Sequence, residues 1–428
     1  MVKSLSKVYF SLLIFSPFIP QLNAADVIAM DYIALNITAI FGILILISSG
    51  KLDFKHNLRF KLPLLLLFLF LVVSTLSIFF SINKVTSFVS LIKLFVIVVH
   101  LYLIYALKIY KIISVNFILT SCSIFLLLEV FESMYPLFNE ILPVRKYEYR
   151  FSTYLIGITG NRNITAASIV LKIPLVLIYL FRVKKLLSRL ILGSIIAFAV
   201  ACLFFLSSRA GLLSLSLILI VFFLNTLIQL VKEKDIILFF KRNLLLTISI
   251  ATSFIFFNSN IADNDRSSIQ SRVSSISSTD ESATQRLRFY GQAINYFLQN
   301  PYTPVGLGNW KLYSIKLDKD RINSYIVPYV VHNDFLEILV ETSLLGVVFY
   351  SGFFLVLFFM IYGLYFKQKE FEDKTEILLL GTALISYLVD ANLNFPLYRP
   401  IMQVNLLLII TLILNLYNFN FFRNEKNT

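Results

Sequence analysis

Long, continuously apolar runs separated by short polar turns dominate the chain, and a single long polar stretch interrupts them between residues 259 and 331. The runs fall at 8–24, 27–49, 62–82, 85–107, 112–131, 163–181, 190–206, 210–231, 243–258, 335–366, 376–394 and 400–420. Most approach the roughly 20 apolar residues that cross about 30 Å of hydrocarbon at about 1.5 Å per residue. They do not alternate, which excludes the strands of a transmembrane barrel. The pattern predicts an all-α, polytopic membrane protein with about twelve transmembrane helices and a partly helical extracytoplasmic loop domain. Three regions follow: an N-terminal bundle over 1–258 with an outer loop at 132–162, a loop domain over 259–334, and C-terminal membrane helices over 335–428.

Composition agrees with that reading. Hydrophobic residues make up 58% of the 428 and charged residues 14%, more apolar surface than a soluble core can hide. Lys and Arg gather in alternate connections: Lys51, Lys55, Arg59 and Lys61; Arg182, Lys184, Lys185 and Arg189; Lys232, Lys234, Lys241 and Arg242; Lys367, Lys369 and Lys374. The positive-inside rule puts these loops and both termini in the cytoplasm and the long stretch outside. The first run, with Lys3, Lys7 and Asn23-Ala24-Ala25, also has the form of a cleavable signal peptide. Cys122 and Cys202 lie in apolar spans and imply neither a disulfide nor a metal site. The net charge of +14 reflects topology and anionic lipid contact and makes no case for nucleic acid.

Within the long stretch, Ser267 to Ser278 is serine-rich and reads as flexible. A helix follows, with Ser282 and Gln285 as a capping-box pattern and Leu287, Tyr290, Ile294 and Phe297 as its apolar stripe before Pro301. Arg286 flanks that stripe, and Arg288 points mostly away from it. Gly306-Leu307-Gly308-Asn309-Trp310 provides backbone that can approach a ligand closely, beside the only tryptophan. Asn333 or Asp334 caps a further helix, with Asp334, Glu337 and Glu341 on one face. His332 then sits at that helix start, where the dipole favours the neutral imidazole.

These groups suit group transfer from a lipid-linked pyrophosphate. Such a leaving group needs cationic stabilisation and the incoming hydroxyl needs a base. Arginine grips phosphate oxygens with a planar, permanently charged fork, each contact contributing about 1.5–3 kcal/mol. Arg209, in Ser207-Ser208-Arg209-Ala210-Gly211, falls at the outer end of a span, level with a headgroup.

Gly160-Asn161-Arg162-Asn163 with Ala166, Ser208-Arg209-Ala210-Gly211, Arg286 with Tyr290, Asn300-Pro301 before Gly306-Leu307-Gly308, and His332-Asn333 with Glu341 and Gly346 resemble the ordered motifs of the O-antigen ligase and polymerase family. The resemblance is close over 150–350 and topological elsewhere. It implies an inverting, metal-independent glycosyltransferase with no cofactor, using an undecaprenyl-pyrophosphate-linked glycan at the periplasmic face. By position, Arg209 and Arg286 bind pyrophosphate, with Arg162 and Arg288 as further contacts. His332 activates the acceptor hydroxyl, and Asn333, Glu341, Gly306, Gly308 and Tyr290 support it. Two departures stand out: Tyr290 occupies a place where the family often has tryptophan, and Ser343 replaces a frequent glycine.

The favoured acceptor is lipid A core. A lipid-linked repeat unit (a polymerase) or a protein hydroxyl (an O-linked oligosaccharyltransferase) are alternatives, and membrane lipids are further partners. From another class, a secondary transporter has a similar span count, but no internal repeat is visible. Plainer readings stand beside the sharp ones. His332 can be a loop residue at a helix cap, Arg209 an interfacial snorkelling residue, and Arg162, Arg286 and Arg288 solvated charges. Asp318-Lys319-Asp320 reads as solvated surface rather than a metal site. Lys172 and Lys93, within apolar spans, need partners, Glu129 among the candidates. His100 reads as a packing residue and His56 as cytoplasmic surface.

Overall fold

The computed structural model describes residues 2–19, 26, 28–50, 58–262, 281–321 and 330–425. Fourteen helices longer than one turn are named here: α1 Val2–Phe15, α2 Ala29–Ser48, α3 Leu58–Ser77, α4 Lys84–Ala106, α5 Val115–Pro136, α6 Arg162–Arg182, α7 Leu186–Leu206, α8 Arg209–Glu233, α9 Ile236–Asn260, α10 Glu281–Gln299, α11 Trp310–Asp318, α12 Asp334–Lys367, α13 Phe371–Leu393 and α14 Pro400–Glu425. Eleven of them are long and apolar enough to cross a membrane. The chain is an all-α, multi-pass membrane protein.

The expected first span is the exception. Helix α1 has 14 residues and gives way to a 3₁₀ turn at Ser16–Phe18, too short as a helix to cross hydrocarbon. Pro17 accounts for the stop: it lacks an N–H and disfavours helical geometry at the residue before it. Its apolar face is nevertheless part of the core, with Tyr9, Phe10, Leu13 and Ile14 buried. Asn23-Ala24-Ala25, His56 and the serine-rich Ser267 to Ser278 lie outside the described residues.

Helix α6 lies at the centre, 89% of its apolar window being buried, and packs against α5, α7, α8 and α13. A mid-helix lysine there needs a partner, and Lys172 has one: its ammonium is 2.7 Å from Glu129 of α5, and it also donates to Ser168, as its spacing in apolar sequence requires. Elsewhere Lys93 lies 3.7 Å from Asp26 and over the Tyr32 ring. His100 is fully buried between the Tyr9 hydroxyl at 2.8 Å and the Leu35 carbonyl at 3.1 Å, a packing residue. Cys122 and Cys202 are buried free thiols.

Successive spans alternate in direction, so the segments 137–161, 207–208, 261–262, 281–321, 330–333 and 394–399 share one end of the bundle, the loop end. There the two polar loops meet. The Tyr147 amide donates to the Asn260 carbonyl and the Ala262 amide to the Tyr147 carbonyl, at 2.7 and 2.8 Å. Helix α12 kinks at Ser343, whose φ of 65° and ψ of −175° break the helical path a third of the way along.

Candidate active site

Five separated stretches of chain bring their polar residues to one pocket at the loop end. It has a volume of about 90 Å³ and is lined by Tyr149, Arg162, Asn163, Ser207, Ser208, Arg209, Ala210, Arg286 and Asn394. No carboxylate stands among these described lining residues.

Local chain geometry explains each arginine's position. Gly160, at φ 67°, turns the chain, and the Asn161 side chain then caps α6 by accepting from the amides of Asn163 and Ile164. That puts Arg162 in the first helical turn. Its guanidinium donates to the Tyr149 hydroxyl at 2.6 Å, contacts the Ser152 hydroxyl and lies over the Tyr149 ring. Arg209 is placed in the same manner. Ser207, in left-handed geometry at φ 50°, ends α7, and Ser208 caps α8 with its hydroxyl toward the Gly211 amide. Two helix N-termini with their partial positive charge thus open onto the pocket. Arg286 comes from α10 and approaches Asn394 Oδ1 at 3.5 Å.

His332 stands beside this pocket. Its ring packs in parallel on Phe289, centroids 6.3 Å apart, and edge-on to Phe395 at 5.4 Å. Its Nδ1 is buried with no hydrogen-bond partner among the described residues. Burial, and secondarily the charge of Arg286, pull its pKa down to about 4, so the imidazole is neutral at physiological pH. The sequence attributes that neutrality to the dipole of the following helix; in the structure desolvation and a neighbouring guanidinium produce it. Asn333 caps α12 as its type and position predict, accepting from the Leu336 amide at 3.0 Å. The Tyr290 hydroxyl ties the loop down, pointing toward the carbonyls of Asn392 at 2.8 Å and His332 at 3.0 Å.

The other sequence-selected residues serve the scaffold. Gly306 and Gly308 have φ of 87° and 71°, but they approach protein, not open space: a Cβ at Gly306 would come within 2.8 Å of Ser81 Cα and one at Gly308 within 3.0 Å of Ser90 Cβ. Their segment is stitched to the turn between α3 and α4, with Leu307 bonded to Ser77 and Ser87, and Asn309 to Asn83 and Ser87. Glu341 is buried and accepts from the Trp310 amide and the Tyr398 hydroxyl, both at 3.0 Å.

Arg288 lies away from the pocket, 2.8 Å from Asp318. Asp318 is not solvated surface as its sequence neighbourhood suggests; it is 2% exposed and also accepts from Gln292, while Asp320 is exposed. The packed face of α10 also differs from the predicted stripe. Phe289 and Ala293 are buried, whereas Leu287 and Ile294 are 57% and 41% exposed. This places Arg286 on the packed side, three residues before Phe289. The Ser282 part of the capping pattern lies outside the described side chains, and α10 begins at Glu281.

Sequence reasoning missed Tyr149, Asn394 and Phe395. Asn394 is 1% exposed, donates to Asp390 and faces Arg286. The available signal was a run of polar residues, Asp390, Asn392 and Asn394, closing an otherwise apolar span.

A helical membrane protein that gathers three guanidiniums and two helix N-termini at one end of its spans, next to a neutral imidazole, has the parts to hold an anionic group and deprotonate a nucleophile. The O-antigen ligase family model matches residues 195–351, which supports the resemblance read from the sequence. The matched segment contains Arg209, Arg286 and His332; Arg162 and Asn394 lie outside it. No curated protein matches the chain.

Proposed function

We propose that the protein transfers a glycan from undecaprenyl pyrophosphate to an acceptor hydroxyl at the periplasmic face of the bacterial inner membrane, with lipid A core as the acceptor. The convergence of Arg162, Arg209 and Arg286 on one pocket carries this reading. Three fixed positive charges complement a pyrophosphate and, as charge builds on the leaving oxygen, stabilise it more than the ground state. His332 takes the proton from the attacking hydroxyl. Its buried Nδ1 has no hydrogen-bond partner among the described residues and burial keeps the ring unprotonated, which leaves a lone pair to take the proton. Attack from the side opposite the pyrophosphate inverts the anomeric centre. The reaction requires no metal or cofactor, since the guanidiniums do the work a cation would do. The basic loops at the other end of the spans, with Arg182 clamped on Glu376 at 2.6–2.9 Å, orient that end to the cytoplasm.

Purified protein in vesicles, given undecaprenyl-pyrophosphate-linked glycan and lipid A core, tests the reading. Transfer is expected in the presence of chelator, with His332→Ala losing about 10² to 10⁴ in rate. A strict need for a divalent ion, or transfer only to a second lipid-linked glycan, refutes the mechanism or the acceptor respectively. In a deletion strain, loss of a ligase leaves long lipid-linked polymer and capless core, whereas loss of a polymerase leaves single repeat units on core.

A further inference from the structure

Helix α10 has three faces where an amphipathic helix on a protein core has two. At about 100° per residue, Phe289, Tyr290, Ala293 and Tyr296 share the side that packs on the rest of the molecule. Thr284, Asn295 and Gln299 form an exposed polar side. Between these two runs a separate apolar stripe of Leu287, Ile294 and Leu298, all exposed, the last of them 68%. Tyr302, 88% exposed, follows just past the helix end. A second apolar face calls for a second apolar medium.

The packing of α10 puts the hydrocarbon boundary beside it. Ser343 Oγ donates to the Pro301 carbonyl and the Val305 amide to the Val340 carbonyl, which fastens the end of α10 to α12 at its kink. From that kink to Lys367 the helix rises about 36 Å at 1.5 Å per residue, enough by itself to cross about 30 Å of hydrocarbon. Leu344, Leu345 and Val348, directly after the kink, are exposed as lipid-facing residues are. At the start of α12, Asp334 accepts from the Leu397 amide, just past the end of α13. Both ends of the segment Asp334–Thr342 thus lie at the outer boundary, and the segment runs along that boundary instead of through it. Helix α10 rests on this segment, Ala293 sharing a small core with Val340.

We propose that α10 lies on the outer leaflet with Leu287, Ile294 and Leu298 in the lipid, and that this contact fixes the height of Arg286 and of the His332 loop above the membrane. A protein partner fits the stripe less well, since it meets the lipid-facing start of α12 through the Pro301–Ser343 contact and carries no charged residue of its own. An exposed tyrosine at that junction suits the headgroup level, where aromatic residues gather. The packed face holds the site: Arg286 lines the pocket and the Tyr290 hydroxyl reaches the His332 carbonyl. The positioning half of the proposal rests on the pyrophosphate reading of that pocket, and the lipid contact does not.

Nitroxide labels on single introduced cysteines test the contact in the full chain, reconstituted in phosphatidylethanolamine–phosphatidylglycerol vesicles. The unsubstituted chain, whose Cys122 and Cys202 are buried, gives the background. Labels at Ile294→Cys and Leu298→Cys are expected to be relaxed more by lipid-soluble oxygen than by a water-soluble nickel chelate, and labels at Asn295→Cys and Gln299→Cys the reverse. The same order at all four positions, or a Leu298→Cys label immobilised and shielded from both reagents as under a protein partner or a second copy of the chain, overturns the lipid contact. Positioning is read from binding of undecaprenyl pyrophosphate: Leu298→Glu, at an exposed site, is expected to weaken it about ten-fold, and Gln299→Glu to leave it unchanged. Equal binding by these two variants overturns the positioning. Failure of the wild type to bind this lipid overturns the pocket reading and the positioning together, while the lipid contact still stands or falls by the labels.

Discussion

Arg286 acts on two partners at once. It lines the anion pocket and its charge disfavours a second proton on His332. The imidazole, with an ordinary value of 6.5, is held at about 4 by burial first and this charge second. The sign has a direct kinetic consequence. A base of ordinary pKa is lost as the pH falls through 6.5, whereas His332 stays in its base form until about 4. The acid limb of kcat/KM, which reports the free enzyme, is therefore expected near pH 4. A limb near 6.5 that disappears in a His332 variant would contradict the environment described for this ring. The residue types were legible in the sequence, since half-buried arginines at the outer ends of spans, such as Arg162 and Arg209, need a reason to be there. Arg288 shows the limit: only coordinates reveal that Asp318 is folded inward to meet it.

At the scale of elements, the kink in α12 is the clearest case. Ser343 adopts φ 65° and ψ −175°, a conformation that costs a residue with a Cβ about 1–3 kcal/mol. Its hydroxyl offsets part of this by donating to the Pro301 carbonyl at 2.8 Å, a bond worth about 1 kcal/mol. A glycine, which the resemblance puts at this place, would adopt this backbone without that cost. Ser343→Gly is expected to leave the unfolding temperature in detergent equal or higher, and Ser343→Val to lower it; a fall with glycine as large as with valine would show that the hydroxyl, not the backbone, governs the kink. The span positions were legible because each needs its own apolar length, and the cap Asn333 was readable from residue type. The packed face of α10 was not. In a chain this apolar, Leu287 and Ile294 can stay exposed, so hydrophobic periodicity no longer reports which side packs. Pro17, which shortens α1, was visible but outweighed by the apolar run around it.

For the whole molecule, what the sequence could not supply is convergence. Arg162, Arg209, Arg286 and Asn394 span more than half of the chain, and their meeting depends on how α6, α8 and α13 pack around one another. The glycines at 306 and 308 suggest a ligand-facing backbone, because close backbone approach is what glycine allows; the fold uses that freedom against Ser81 and Ser90 instead. The resulting account divides labour across the site, with arginines holding the donor and the imidazole serving the acceptor. Donor affinity and single-turnover transfer rate, measured together on wild type, Arg209→Ala and His332→Ala with undecaprenyl-pyrophosphate-linked glycan, address that division most directly. The account predicts that His332→Ala binds donor like the wild type and transfers about 10² to 10⁴ times more slowly, while Arg209→Ala loses affinity and rate together. Near-normal transfer by His332→Ala, or undiminished donor binding and rate in Arg209→Ala, would contradict it.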